Sequence, residues 1–163
     1  MNLDPMATGA EDFPFTFHGS YTRAVDAKGR FHLPFRFRNQ SQGLAEEEED
    51  RERYMVSPGL DGSVTLTPHT VWMANFNRLR REEPSAEKTR DLRLMSLNSR
   101  MVAPDAQGRV AVPLEILQGI SVKKKITVVG MGSHMELWSP EAVEQLGPEG
   151  QGPSQGFMQR FYR

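Results

Sequence analysis

The feature that most constrains this chain is that it contains the same pattern twice. Residues 26–34 read DAKGRFHLP and residues 105–113 read DAQGRVAVP, so Asp, Ala, Gly, Arg, two apolar positions and Pro recur at a single offset of 79. The likeness resumes downstream: residues 54–72 (YMVSPGLDGSVTLTPHTVW) align with residues 126–144 (ITVVGMGSHMELWSPEAVE) at an offset of 72. The offset drops by seven across the acidic stretch 44–53 (LAEEEEDRER), which therefore reads as a loop insertion in the first half. A duplication on this scale within 163 residues leaves room for two intimate halves but not for two large independent domains.

Each half follows one plan. A strand (19–25, then 97–103) runs into the D-A-x-G-R turn, and a short alternating strand follows, Arg30-Phe31-His32-Leu33 or Arg109-Val110-Ala111-Val112. Proline cannot donate to a ladder but suits a helix start, so a short helix is expected at Pro34 and at Pro113. Two further strands are joined by tight turns at 59–62 (GLDG) and 130–133 (GMGS). Thr67-Pro68 and Ser139-Pro140 then read as N-cap plus first helical residue. Between the halves, Val71, Trp72, Phe76, Leu79, Leu92 and Met95 among charges predict amphipathic helices broken near Pro84-Ser85, with Ser85 as a cap. The expected fold class is α+β, a pseudo-two-fold duplicated β-rich half with short helices. Residues 1–16 and 147–163, rich in Gly, Pro and polar residues, read as a disordered N-terminal tail and a flexible C-terminal tail.

The turn has a physical rationale. Gly29 and Gly108 permit the positive φ of a tight reversal just before each arginine. Asp26 and Asp105 can accept backbone N–H bonds within the turn or hold the guanidinium that follows, and either fixes the arginine's direction. An arginine aimed in this way can contact guanine bidentately or clamp phosphates. The plainer reading is a good hairpin turn with a surface ion pair, and duplication alone does not choose between them, since fold requirements duplicate too.

Charge is segregated along the chain. The net charge is −1, yet residues 44–53 hold six acids against two bases. Residues 19–40 hold Arg23, Lys28, Arg30, Arg36 and Arg38 against Asp26, and residues 98–125 hold Arg100, Arg109, Lys123, Lys124 and Lys125 against Asp105 and Glu115. Local potential rather than the total steers a polyanion. No run of 18 apolar residues marks a membrane span, and no basic start precedes an apolar segment, so neither a membrane partner nor a secretory signal is expected. Cysteine is absent, which excludes disulfides and thiolate metal sites. The four histidines, His18, His32, His69 and His134, show no metal spacing, and P-loop, dinucleotide and nucleophile-elbow motifs are missing. The expectation is no enzyme, no catalytic or metal residues, no cofactor and no small-molecule substrate.

The run Phe17-x-Gly19-x-Tyr21, Asp26-Ala27-Lys28-Gly29-Arg30, Pro34-x-Arg36-x-Arg38 strongly resembles the start of the MraZ family. Asp105-Ala106-Gln107-Gly108-Arg109 through Glu136-Leu137-Trp138 is similar to that family's second repeat, and the resemblance spans residues 17–146. It implies the swapped-hairpin, double-psi-like fold of the AbrB type. It divides the chain into a first SpoVT-AbrB-like repeat with linking helices at 17–95 and a second at 96–146. It further implies a cytoplasmic, nucleoid-associated transcriptional regulator of the division and cell-wall gene cluster, including its own promoter. Its partners are then double-stranded DNA carrying promoter repeats and further copies of itself in a ring-like homo-oligomer. DNA binding is carried over to Arg30 and Arg109, with Lys28 as a neighbouring contact and Asp26, Asp105, Gly29 and Gly108 positioning the loops.

Several positions depart from the family pattern. His18 stands where arginine is frequent, Gln107 replaces the base that Lys28 supplies, and residues 114–118 (LEILQ) lack the usual arginine. The first loop, with the more basic surround in sequence, is therefore expected to dominate. The competing class is a structural ring that touches DNA only incidentally, with Trp72, Trp138 and the apolar face of 71–95 packing subunits; they suit the core of a single chain at least as well.

Overall fold

A computed structural model of the chain describes residues 17–44, 47–48, 51–146 and 152–163. Its elements in order are β1 (Ser20–Ala24), β2 (Arg30–His32), α1 (Phe35–Leu44), β3 (Tyr54–Pro58), β4 (Val64–Pro68), α2 (His69–Arg81) and α3 (Ala86–Leu97). The second half continues with β5 (Arg100–Val102), β6 (Arg109–Ala111), α4 (Leu114–Gly119), β7 (Lys125–Gly130), β8 (Met135–Trp138) and α5 (Pro140–Glu144), and α6 (Gln155–Phe161) follows. The class is mixed α+β, as the alternation patterns predict. The expected N-terminal tail at 1–16 lies outside the described residues.

Among the described residues the strands form two sheets. One has six antiparallel strands in the order β1-β7-β8-β4-β3-β5, and the other is the two-stranded ribbon β2-β6. The order carries the duplication in an exchanged form. Strand β1 of the first half pairs with the β7-β8 hairpin of the second, and β5 of the second pairs with the β3-β4 hairpin of the first. The ribbon likewise takes one strand from each half. Neither half therefore completes a sheet by itself.

Side-chain alternation fixes the registers. In the ribbon Phe31 lies opposite Val110, both essentially inaccessible, and a slip of one residue would turn both out to water. Central strand β7 buries Ile126, Thr127 and Val128 in succession, as a strand covered on both faces does. The core joins Phe31, Leu66, Val110, Ile126, Met135 and Leu137. Near β1, Phe37 of α1 forms T-shaped pairs with Phe17 and Tyr21, with ring centroids 5.5 and 5.3 Å apart.

Local details amend the sequence reading in places. Pro34 and Pro113 each precede their helix by one residue, a place that suits a residue with no backbone N–H to donate. Ser139 caps α5 by accepting from Ala142 N at 3.1 Å with Pro140 at the first position, as expected. At Thr67-Pro68 that arrangement fails: Thr67 lies inside β4, Pro68 itself precedes α2, and no side chain caps the helix. The linking helices break at Pro84-Ser85 as read, with Ser85 Oγ accepting from Lys88 N at 3.0 Å. The strand expected over 97–103 is shorter, because α3 continues through Leu97 and Asn98 closes it. Within the expected C-terminal tail, residues 155–161 form α6, capped by Ser154. No helix among the described residues is long and apolar enough to cross a membrane.

Candidate nucleic-acid interface

The two D-x-x-x-R turns close in the same way. Asp26 N donates to Arg30 O at 2.9 Å and Gly29 N to Asp26 O at 3.0 Å; the second turn repeats this with Asp105 N to Arg109 O at 2.8 Å and Gly108 N to Asp105 O at 2.9 Å. Both glycines sit near φ +80°, at 79° and 80°, where a Cβ is costly. The aspartate closes the turn and holds the guanidinium at once. Asp26 Oδ1 accepts from Lys28 N and Arg30 N, both at 2.9 Å, while Oδ2 accepts from Arg30 Nε at 2.7 Å. Asp105 does the same with Gln107 N at 2.9 Å, Arg109 N at 3.0 Å and Arg109 Nε at 3.0 Å.

These donors stabilise the ionised carboxylate. The backbone N–H of Arg30, foremost, pulls Asp26 from its ordinary 3.8 to about 2, and the backbone N–H of Arg109 lowers Asp105 in the same way. Each arginine spends only Nε on its aspartate. Both terminal nitrogens remain without a partner among the described residues, so a fork of donors able to engage a planar acceptor pair such as guanine or phosphate is held in direction yet unspent.

The ribbon brings the arginines together. Arg30 pairs with Ala111, Phe31 with Val110 and His32 with Arg109. Because Phe31 and Val110 point into the core, Arg30, His32, Arg109 and Ala111 share the opposite face. Two residues 79 positions apart thus stand on one small antiparallel platform. Lys28 and Gln107 lie exposed at equivalent positions of the two turns. His32 was read from sequence only as a strand histidine. The signal for its place was the period-two alternation starting at Arg30.

Each turn is locked by the other half. Val112 N donates to Gly29 O at 3.0 Å and Leu33 N to Gly108 O at 3.3 Å. A Cβ on Gly29 would collide with the Val112 carbonyl, with Leu114 and Leu117 close by. The neighbour of Gly108 is the Arg38 guanidinium. Arg38 is equivalent to Leu117 in the repeat, so the exchange carries the arginine of α1 to the second turn and a leucine of α4 to the first. This corrects the sequence-local charge comparison, which assigned Arg38 to the surround of the first loop. Arg38 is in turn held by Glu52, with Nη2 at 2.6 Å and Nε at 3.0 Å from one carboxylate oxygen.

The tryptophans have partners inside the chain: Trp72 stacks on Phe76 at 5.1 Å and donates to Ser57 Oγ at 3.0 Å, and Trp138 donates to Glu136 at 3.1 Å. His134 precedes β8 rather than lying within it, and its burial lowers its pKa against the pull of Glu136.

Comparison with known proteins bears on this arrangement. Residues 95–153 match the MraZ family model, described as "MraZ protein, putative antitoxin-like". A "Transcriptional regulator MraZ" of Herpetosiphon aurantiacus is 35% identical over 128 residues, 77% of this chain and 82% of the relative. One from Thermomicrobium roseum is 31% identical over 141 residues, 82% of this chain and 92% of the relative. Another, from Bacteroides thetaiotaomicron, is 31% identical over 137 residues, covering 82% and 85% of the two chains.

Proposed function

The chain belongs to the MraZ family, and from that premise we propose that it is a DNA-binding transcriptional regulator that reads DNA with the exposed face of the β2-β6 ribbon. The observation that carries this reading is the placement of Arg30 and Arg109 on one face, each pre-aimed by its own aspartate with two donor nitrogens unspent. Two-stranded ribbons fit the major groove, and bidentate arginine–guanine pairs are the commonest specific contact there. Lys28 serves as a phosphate contact beside the first turn, while Asp26, Asp105, Gly29 and Gly108 act through the arginines they position. No enzymatic step is assigned to the chain.

The exchanged strand order supports a swapped-hairpin fold of the AbrB type with a double-psi-like core, built from repeats at 17–95 and 96–146. The same reading makes the protein cytoplasmic and nucleoid-associated, acting on the division and cell-wall gene cluster through repeats in its own promoter. Self-association into a ring-like homo-oligomer is the companion proposal. It is supported by apolar side chains left exposed along α3 and β5, among them Leu94, Leu97 and Met101, the last on an edge strand.

Footprinting on the DNA upstream of the protein's own gene tests the assignment, with Arg30→Ala as its control. Loss of a bidentate arginine should weaken specific binding by about 1–3 kcal/mol, five- to more than a hundredfold, while the fold persists because Arg30 is one-third exposed. Unchanged promoter affinity in that variant would reject the arginine's role.

A further inference from the structure

We infer that His32 and Ala111 are a specificity-determining pair that makes the two halves of the ribbon read different bases. The inference rests on the ribbon being the DNA-reading face. In the repeat, His32 and Ala111 are equivalent positions, each two residues beyond its arginine. In the ribbon, Ala111 lies opposite Arg30 and Arg109 opposite His32, so the arginines occupy one diagonal of a four-residue platform and His32 and Ala111 the other. Both His32 and Ala111 are exposed, and His32 has no side-chain partner among the described residues. Partners directly across an antiparallel pair stand roughly 5 Å apart, so a ribbon that brings an arginine to a base edge brings the residue opposite it to a neighbouring one.

The chemistry of the two positions differs although their place in the ribbon register does not. An imidazole N–H can donate to the N7 or O6 acceptor of guanine, whereas an alanine methyl can only make apolar contact, for which the thymine methyl is the fitting partner. The turns match each other bond for bond, and the arginines are the same residue. Of the positions that differ between the halves, 32 and 111 are the ones on the arginine platform itself, so base asymmetry in the bound site is assigned to them: guanine is preferred under His32, and thymine at the pseudo-two-fold-related base under Ala111.

Selection from duplexes randomised over two helical turns, about 20 base pairs, tests this on the full chain, with the native protein, His32→Ala, Ala111→His and Arg30→Ala compared. The native protein should enrich guanine at one of two dyad-related positions only. His32→Ala should lose that preference by about fivefold, as removal of a single hydrogen bond does, leaving the two positions alike. Ala111→His should gain guanine at the dyad-related position, and it carries the test independently if His32→Ala folds poorly by circular dichroism. Profiles of both variants identical to the native one, with Arg30→Ala abolishing enrichment, would overturn this pair alone. Enrichment that survives Arg30→Ala unchanged would overturn the ribbon reading and this inference with it.

Discussion

One carboxylate oxygen in each turn takes two backbone N–H bonds while the other takes the arginine's Nε, so backbone closure and side-chain aim depend on the same group. Asparagine separates the two. In Asp26→Asn the amide oxygen can still accept from Lys28 N and Arg30 N, but the amide nitrogen then faces Arg30 Nε, two donors together. The expected outcome is a folded protein with a loosened Arg30, whose specific affinity falls by less than in Arg30→Ala, as measured by mobility shift on the same promoter fragment. A loss greater than that of Arg30→Ala would mean that Asp26 acts on the fold as well as on aim. The same bonds set an acid limit. A carboxylate depressed from 3.8 to about 2 stabilises the folded state fully above 3.8 and loses that contribution as pH falls toward 2. His134 adds a milder sensitivity at higher pH. Its folded state favours the neutral ring, so its contribution is present above 6.5 and shrinks as pH drops below that value. Thermal melts from about pH 8 to about pH 5 should show a falling Tm that His134→Asn flattens. An unflattened profile would remove His134 from the account.

At the scale of elements, the ribbon and its two turns are locked across the halves, and Gly29 is where that lock is tightest. It combines φ +79° with a Cβ position that meets the Val112 carbonyl, a backbone atom that cannot step aside as a side-chain tip would. Gly29→Ala should therefore cost roughly 1–3 kcal/mol for the backbone conformation, with the clash added to it, read as a shift of the urea midpoint. Gly108 has the same φ but faces the flexible Arg38 tip, so Gly108→Ala should cost less. The contrast reflects what sequence could and could not reveal. The turns, the glycines within them, the break at Pro84-Ser85 and the cap at Ser139 were legible because each depends on residues within a few positions of one another. The strand exchange is not legible in the residue pattern, since alternation marks which face of a strand is buried but carries no information about which strand it pairs with; the sequence offers it only through the family resemblance. For that reason sequence proximity places Arg38 with the turn it follows, whereas it covers the other. The place of His32 beside the arginines is hidden for a related reason: it stands opposite Arg109, a partner 77 positions away. Thr67 failed as a cap because β4 keeps its pairing through Pro68, leaving no loop residue for the role.

For the whole molecule, a net charge of −1 gives little general attraction to a polyanion, so binding has to come from where the bases are placed. Binding DNA releases condensed counterions, and log K falls with log salt at a slope near −0.9 for each phosphate neutralised. That separates the roles of neighbouring residues on the first turn. Arg30, if it reads a base, carries selectivity. Lys28, exposed at the turn tip with its backbone N–H engaged by Asp26 and no side-chain partner among the described residues, is proposed as a phosphate contact. Lys28→Ala should weaken binding to promoter and random duplex alike and lower the salt slope by about one per bound chain, leaving base preference intact. Gln107→Lys, at the equivalent tip of the second turn, should do the reverse: tighter binding to both duplexes and a slope steeper by about one, again with preference unchanged. Affinity measured across a salt series on both duplexes checks the pair. If Lys28→Ala altered selectivity while its slope stayed fixed, the lysine would belong with the base readers. If Gln107→Lys had no effect on either quantity, the second turn would stand too far from the backbone to contact it, and the two turns of this duplicated chain would not engage DNA as equivalents.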